Sequence, residues 1–209
     1  MNILIVDDHA VVRRGIRALL AEEFPDAAIS EASTINDALR ELASRSWALV
    51  ILDLTMPGRG GLDALPQIHS TYPDLPVLVL SAHAEEQYAI RALRAGAIGY
   101  VSKDSTLGEL IAAARKALAG SVYVSAKLAE ILAKDVRAKH GCPLHGALSD
   151  REFQVLRLLA RGRSVKQIAV ELALSDKTIS TYRARMLDKM GMSSNAELVR
   201  YAIENGLID

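Results

Sequence analysis

Ala48-Leu49-Val50-Ile51-Leu52-Asp53-Leu54-Thr55-Met56-Pro57-Gly58 is an apolar run that stops abruptly at a carboxylate, with proline and glycine following. A short block of Leu, Val and Ile bounded by turn residues reads as a strand buried on both faces. In open α/β sheets, ligands bind at the carboxyl ends of such strands. Asp53 stands at such an end, so it is expected to project into a crevice.

The same pattern recurs on both sides of this stretch. Residues 3–6 form an apolar run that ends in Asp7-Asp8, and residues 28–31 read as a second strand. Residues 77–80 lead to Ser81-Ala82, and residues 99–102 lead to Lys103. Between these runs apolar residues return at helical spacing: Val12, Ile16, Leu19 and Leu20, then Ala38, Leu39 and Leu42. Leu62, Leu65 and Ile68 follow, then Ala89, Ile90 and Leu93, and finally Leu107, Leu110, Ile111, Ala114 and Leu118 after a Thr106–Glu109 capping box. Five strands alternating with five helices predict a doubly wound parallel sheet.

If those strands are neighbours, their exits bring Asp7, Asp8, Asp53, Ser81 and Lys103 to one crevice. Three clustered carboxylates repel one another and hold protons unless a cation neutralises them. A hard divalent ion with oxygen ligands suits the set, and Mg²⁺ is the choice. A lone Asp after a strand is ordinarily a turn or a helix cap; polar groups at exit after exit are harder to dismiss.

The chain has no net charge, but its halves differ: −4 over residues 1–120 and +4 over residues 121–209. An acidic half joined to a basic half suits a cation or phosphate module joined to a nucleic-acid module, with a chance excess as the plain alternative. Cys142 is the only cysteine, so an intramolecular disulfide is excluded. No apolar segment has membrane-spanning length, and the N-terminus meets Asp7-Asp8 without a basic leader, so a cytoplasmic protein is expected.

Residues 121–147 read as a joint with a short amphipathic helix carrying Ala126, Leu128, Ala129, Ile131 and Leu132. A stretch punctuated by glycine and proline, Lys139 to Gly146, follows it. His140, Cys142 and His145 raise a metal site as an alternative, but their crowding lacks zinc-module spacing. Beyond residue 148, helix-start signals recur at Ser149–Glu152, Ser164–Gln167, Ser175 and Ser194–Glu197, predicting four short helices. Val155, Leu156, Leu159, Ile168, Ala169, Leu172, Ile179, Met186, Leu187, Met190, Leu198 and Ile203 supply one small core. Leu172-Ala173-Leu174-Ser175 joins two of the helices as a helix-turn-helix. On the helix after Ser175, Ile179, Tyr182, Met186 and Met190 share one face, and Lys177, Ser180, Thr181, Ala184 and Asp188 share the other. That polar, small-residue face suits a major groove, with a solvated bundle face as the alternative. Lys166, Lys177, Arg183, Arg185 and Lys189 favour phosphate contacts.

Asp7-Asp8, Asp53 with Met56-Pro57-Gly58, Ser81-Ala82, Gly99-Tyr100 and Lys103 resemble the receiver domain of two-component response regulators. Leu148-Ser149-Asp150-Arg151-Glu152, Gln167-Ile168-Ala169 and residues 174–182 resemble the LuxR-type helix-turn-helix of the NarL/FixJ branch. The resemblance implies a receiver over 1–120 with a flavodoxin-like, five-stranded doubly wound parallel sheet. It implies a linker over 121–147 and an all-α, four-helix DNA-binding domain over 148–209.

The resemblance also assigns roles. Asp53 accepts a phosphoryl group from a sensor histidine kinase. Asp7, Asp8, Asp53 and the Thr55 backbone carbonyl hold Mg²⁺, and Ser81, Lys103 and Tyr100 bind the phosphoryl group or switch with it. Ser180, Thr181 and Ala184 face bases. Lys166 and Lys177, with Arg183 and Arg185 beside them, reach phosphates. Asn195, Leu198, Val199 and Ala202 meet a second copy. The implied partners are the kinase, double-stranded DNA, a homodimer when phosphorylated and RNA polymerase, with no membrane. The family often carries lysine where Ser180 and Ala184 stand, so readout here leans on hydroxyl and thymine-methyl contacts or on DNA shape. Many receivers have proline after the lysine; here Asp104 follows Lys103.

A carboxylate is a competent phosphoryl acceptor, and the transfer depends on positioning and on neutralising the oxygens of the moving group. Shifting a two-state element from mostly off to mostly on takes roughly 5 kcal/mol. One charge-assisted hydrogen bond gives about 1.5–3 kcal/mol, so Ser81 shares the work with Mg²⁺, Lys103 and dimerisation. Thr55 and His83 are candidates for setting how fast water removes the phosphoryl group, or are idle loop side chains. The expectation is a regulator, not an enzyme beyond its own phosphorylation. A haloacid-dehalogenase-like phosphatase needs a second Asp two residues after the first, where Thr55 stands. A third reading makes the first domain a constitutive dimerisation module.

Overall fold

The computed structural model describes residues 1–57, 60–83, 85–137 and 144–208. The chain divides into two compact units, Met1–Lys139 and His140–Asp209. No helix among the described residues is long and apolar enough to cross a membrane.

The first unit alternates strand and helix: β1 (Asn2–Val6), α1 (Ala10–Glu23), β2 (Ala28–Ala32), α2 (Ile35–Ser44), β3 (Leu49–Leu52), α3 (Gly61–Thr71), β4 (Val77–Ser81), α4 (Glu85–Arg94), β5 (Gly99–Ser102) and α5 (Leu107–Leu118). All strand pairs are parallel, in the order β2-β1-β3-β4-β5. The reason for burial is visible in the strands: every residue of β3 and β4 is buried, whereas the edge strand β2 buries only Ala32. Alternate strand residues feed each face. Ile3, Ile5, Leu49, Ile51, Leu78, Leu80 and Val101 pack with Ile16 and Leu20 of α1 and Leu110, Ala113, Ala114 and Ala117 of α5. The strand order reverses between β1 and β3, and the register sets Val6 beside Leu52. The exits of these two strands therefore lie side by side at a topological switch point, where a crevice opens.

The expected linker helix is present as α6 (Ala126–Arg137), and it belongs to the first unit, packing against α4. The chain entering it pairs Tyr123 with Gly99 in a parallel bridge. Tyr123 is buried in the sheet's core cluster, and Leu128 is wholly buried. The sheet unit thus runs well past residue 120. Gly58 and the Lys139–Pro143 part of the expected joint, with His140 and Cys142, lie outside the described residues.

The second unit opens with a 3₁₀ turn (Leu144–Ala147) and continues with α7 (Asp150–Ala160), α8 (Val165–Glu171), α9 (Asp176–Met190) and α10 (Asn195–Glu204). Each helix starts where its cap stands. Ser149 with Glu152 and Ser164 with Gln167 form full capping boxes, and Ser175 accepts from Thr178. Ser194 accepts from Glu197, whose carboxylate reaches back to the backbone N–H of Ser193 at 2.7 Å. Gly162, Gly191 and Gly206 close helices with positive φ. The turn between α8 and α9 places Ala173 in the left-handed region, φ 53°. Val155, Leu156, Leu159, Ile168, Ala169, Ile179, Met186, Met190 and Leu198 form the core as expected, but Ile203 is 61% exposed and does not.

Candidate acidic site and nucleic-acid interface

At the β1 exit, Asp7 is buried and its carboxylate is fixed by the backbone N–H of His9, which donates to Asp7 Oδ1 at 2.7 Å. Arg13 on α1 braces the same turn from behind. Its guanidinium donates to the Asp7 carbonyl at 2.6 Å and to Glu31 of β2 at 3.2 Å. Asp8 is 28% exposed at the rim, with Oδ1 2.8 Å from His9 Nδ1.

At the β3 exit, the Asp53 backbone N–H donates to the Val6 carbonyl at 2.8 Å, extending the β1–β3 ladder by one bond. Its side chain is 1% exposed. Oδ1 accepts from the Thr55 backbone N–H at 3.0 Å, and Oδ2 accepts from Lys103 Nζ at 2.7 Å. Lys103 follows β5; its backbone N–H donates to the Ser81 carbonyl at 2.8 Å, and Nζ also lies 2.6 Å from Asp7 Oδ2. One ammonium therefore sits between two buried carboxylates.

Burial pushes the Asp53 carboxyl above its ordinary range, against the pull of Lys103 and the Thr55 N–H. Burial works the other way on Lys103, yet contacts with Asp53 and Asp7 hold its ammonium above the usual lysine value. Asp53 lies deeper than the 16% exposed Lys103, so desolvation prevails for the acid and pairing for the base.

Ser81 is wholly buried, and its hydroxyl accepts from the His83 backbone N–H at 3.2 Å. Tyr100 is also wholly buried, not half-buried as a strand aromatic would be, and donates to the His83 carbonyl at 2.6 Å. The His83 ring stacks on Tyr88 at 4.3 Å, and its Nε2 lies 3.0 Å from Thr55 Oγ1. Thr55 and His83 are thus joined from the β3 loop to the β4 loop, beside Asp53. None of the described peptide bonds is cis.

Donor atoms of Asp7, Asp8, His9 and Asp53 all lie within 4.8 Å of one another. Clustered carboxylates with two oxygens buried and one lysine to serve them fit a hard cation. Sequence reading did not mark His9 or Arg13. His9 is the N-cap of α1, a position where its ring makes no capping bond.

In the second unit, α9 turns Ile179, Met186 and Met190 into the core and leaves Lys177, Ser180, Thr181, Ala184, Arg185 and Asp188 exposed, with Arg183 half-buried. Lys166 on α8 is exposed as well. Lys177, Thr181, Tyr182 and Arg185 line a hollow at the start of α9. Lys189, expected among the phosphate contacts, instead donates to Glu152 of α7 at 2.7 Å. Glu152 is 3% exposed; burial opposes its charge, but Lys189 and the Ser149 N–H keep it below the ordinary carboxylate range. On α10, Asn195 is exposed and Val199 half-exposed, but Leu198 and Ala202 are wholly buried. Those two are core residues, because α10 turns that stripe onto α7.

Residues 3–115 match the response regulator receiver domain, and residues 146–202 match the luxR family of bacterial regulatory proteins. The chain therefore joins a receiver to a LuxR-type helical domain. It is 33% identical over 208 residues to the response regulator UvrY of Escherichia coli K12, covering 99% of this chain and 95% of that protein. It is 34% identical over 210 residues to the response regulator GacA of Pseudomonas aeruginosa, covering 100% and 98%. A solved structure of RcsB from Salmonella enterica serovar Typhimurium, bound to promoter rprA with phosphomimetic BeF₃⁻, matches with TM-score 0.61 and 29% identity over 96% of this chain and 97% of that one. The chain belongs to the NarL/FixJ family of two-component response regulators.

Proposed function

We propose that Asp53 accepts a phosphoryl group from a sensor histidine kinase and that its phosphorylation governs dimerisation and sequence-specific DNA binding in transcription. The carrying observation is the Lys103 ammonium held at 2.7 Å from Asp53 and 2.6 Å from Asp7. A carboxylate at a strand exit, beside a fixed cation, is placed to attack phosphorus while Lys103 takes charge from the phosphoryl oxygens. Asp7, Asp8, Asp53 and the Thr55 carbonyl would hold Mg²⁺, which when bound neutralises further phosphoryl charge. Ser81 would turn its hydroxyl from the His83 N–H to the new phosphoryl oxygens. Tyr100, bonded to the His83 carbonyl, ties the same loop to β5.

In the second domain, Ser180, Thr181 and Ala184 would face base edges. Lys166, Lys177, Arg183 and Arg185 would reach phosphates. Small residues at the reading positions favour shape-dependent recognition. Paired domains bind half-sites about one helical turn apart and raise each other's effective concentration to about millimolar. At a promoter such a dimer would stand beside RNA polymerase.

The test compares wild type with Asp53→Ala, each with and without a small-molecule phosphodonor and Mg²⁺, on DNA fragments selected by the phosphorylated protein. Wild type should take label at residue 53 and bind the fragments more tightly; Asp53→Ala should do neither. Equal tightening in both proteins overturns the reading.

A further inference from the structure

We propose that His9 supplies an imidazole nitrogen to the acidic site. The site would then take first-row divalent ions of the Mn²⁺–Co²⁺–Ni²⁺ series with a donor that Mg²⁺ does not use. This rests on the reading that Asp7, Asp8 and Asp53 hold a divalent ion, and it names a wider class of ion for that site.

Three observations place the ring there. His9 is the N-cap of α1 and its side chain makes no capping hydrogen bond, although Ser, Thr, Asp and Asn are the residues that serve a helix at this position. The His9 backbone N–H bonds Asp7 Oδ1 at 2.7 Å, which fixes the turn and swings the ring over the carboxylates. Its Nδ1 then lies 2.8 Å from Asp8 Oδ1 and 3.4 Å from Asp7 Oδ1.

The spacing suits one ion. An octahedral cation with bonds of about 2.1 Å sets adjacent donors about 3 Å apart and opposite donors about 4 Å apart. The donors of Asp7, Asp8, His9 and Asp53 fall within 4.8 Å of one another, so a small inward turn of the ring completes the set. His9 is 63% exposed on its side chain, and packing does not resist that turn.

Ligand chemistry separates the ions. Mg²⁺ prefers oxygen and keeps its waters. Imidazole increasingly favours the later ions, whose affinity climbs from Mn²⁺ to Ni²⁺. An oxygen-only site would climb less steeply than one with a nitrogen donor.

The test uses the full chain and His9→Asn, whose new residue is a better N-cap and preserves α1. Mn²⁺ bound at one equivalent is examined by electron spin echo envelope modulation, with Mg²⁺ added to identify the shared site. Wild type should show modulation from a directly bound ¹⁴N that His9→Asn lacks, although four other histidines remain. By calorimetry the variant should lose about tenfold or more in Ni²⁺ affinity and change less than about twofold toward Mg²⁺. Absent ¹⁴N modulation in wild type, identical modulation in the variant, or equal losses for both ions overturns the proposal. Mg²⁺-dependent labelling of Asp53 in the same preparations is read separately. If it persists while the nitrogen signal fails, His9 is rejected and the phosphoacceptor reading stands.

Discussion

No side chain fits at Gly61, because a Cβ there would overlap the carbonyl oxygen of Asp53 and lie 3.0 Å from Leu54 Cα. Gly61 is the first residue of α3, and its N–H donates to the Leu54 carbonyl at 3.0 Å. The helix start is thereby pressed onto the backbone that aims the acceptor carboxylate. Gly61→Ala must push these chains apart, with an overpacking cost of about 1–3 kcal/mol. The expected result is a lower unfolding midpoint together with slower labelling of Asp53. Normal labelling in a destabilised variant would show that the contact supports the fold and not the site.

Lys103 is the cation shared by Asp7 and Asp53. Lys103→Met should slow phosphorylation by about 10²-fold or more, the scale of losing one preorganised charge at a developing anion. Lys103→Arg should not restore it, since a planar fork does not replace a compact ammonium between two carboxylates. Rates with a small-molecule phosphodonor decide this. Recovery in the arginine variant would reduce Lys103 to a mere counter-charge.

Burial raises the Asp53 pKa, so the folded chain binds that proton more tightly than the unfolded chain. The favourable contribution is then present below the unfolded carboxyl value and is lost as pH rises through the folded one. Near neutral pH the ionised carboxylate is a burden on the metal-free fold. Asp53→Asn should melt a few degrees higher than wild type at pH 7 without divalent ions, on the scale of about 1 kcal/mol. The gap should close as the buffer is made more acidic. Calorimetric scans across that range check the sign, and a lower melting point for the variant contradicts it.

Glu152 shows the opposite sign. Lys189 and the Ser149 N–H hold its carboxyl below the usual range. Its stabilising contribution is present above the unfolded value and disappears as pH falls through the folded one. Lys189→Met should cost about 1–3 kcal/mol at neutral pH, the worth of a hydrogen bond to a charged group, and less in acid. Urea unfolding followed at both pH values measures the difference. A loss independent of pH would locate the effect in packing.

The first domain was readable because β1, β3, β4 and β5 are largely apolar runs that each lead to a polar residue, whereas β2 carries Ser30 and Glu31 within it. Once those strands are neighbours, their ends bring Asp7, Asp8, Asp53, Ser81 and Lys103 to one edge. Serine caps gave the helix starts of the second domain for the same local reason. Pattern alone could not say which apolar stripe of α10 faces its own core: Leu198 and Ala202 pack inward, and Ile203 faces outward. Nor could it assign Lys189, whose partner Glu152 lies far off in sequence on α7. His9 directly follows Asp7-Asp8, a local signal for a further donor that the sequence reading passed over, whereas the partner of Arg13 on β2, Glu31, is brought to it only by the fold.

The segment after α5 reads as a joint yet is built into the sheet unit. The Tyr123 N–H donates to the Ile98 carbonyl at 2.9 Å, and the residue is 9% exposed in the core cluster. Gly99 has no Cβ where Tyr123 lies; one there would stand 2.9 Å from the Tyr123 Cβ. Leu128 is wholly buried, and the Ser125 hydroxyl accepts its N–H at 3.0 Å. A chain ending at residue 120 exposes the surface that Tyr123 and Leu128 cover, each worth about 1.5–3 kcal/mol of burial. Residues 1–137 should therefore unfold at clearly higher urea than residues 1–120, with a larger m-value for the longer chain. Tyr123→Ala in the longer chain should reproduce about half of the loss. Coincident unfolding curves for the two truncations would make the segment a tether after all.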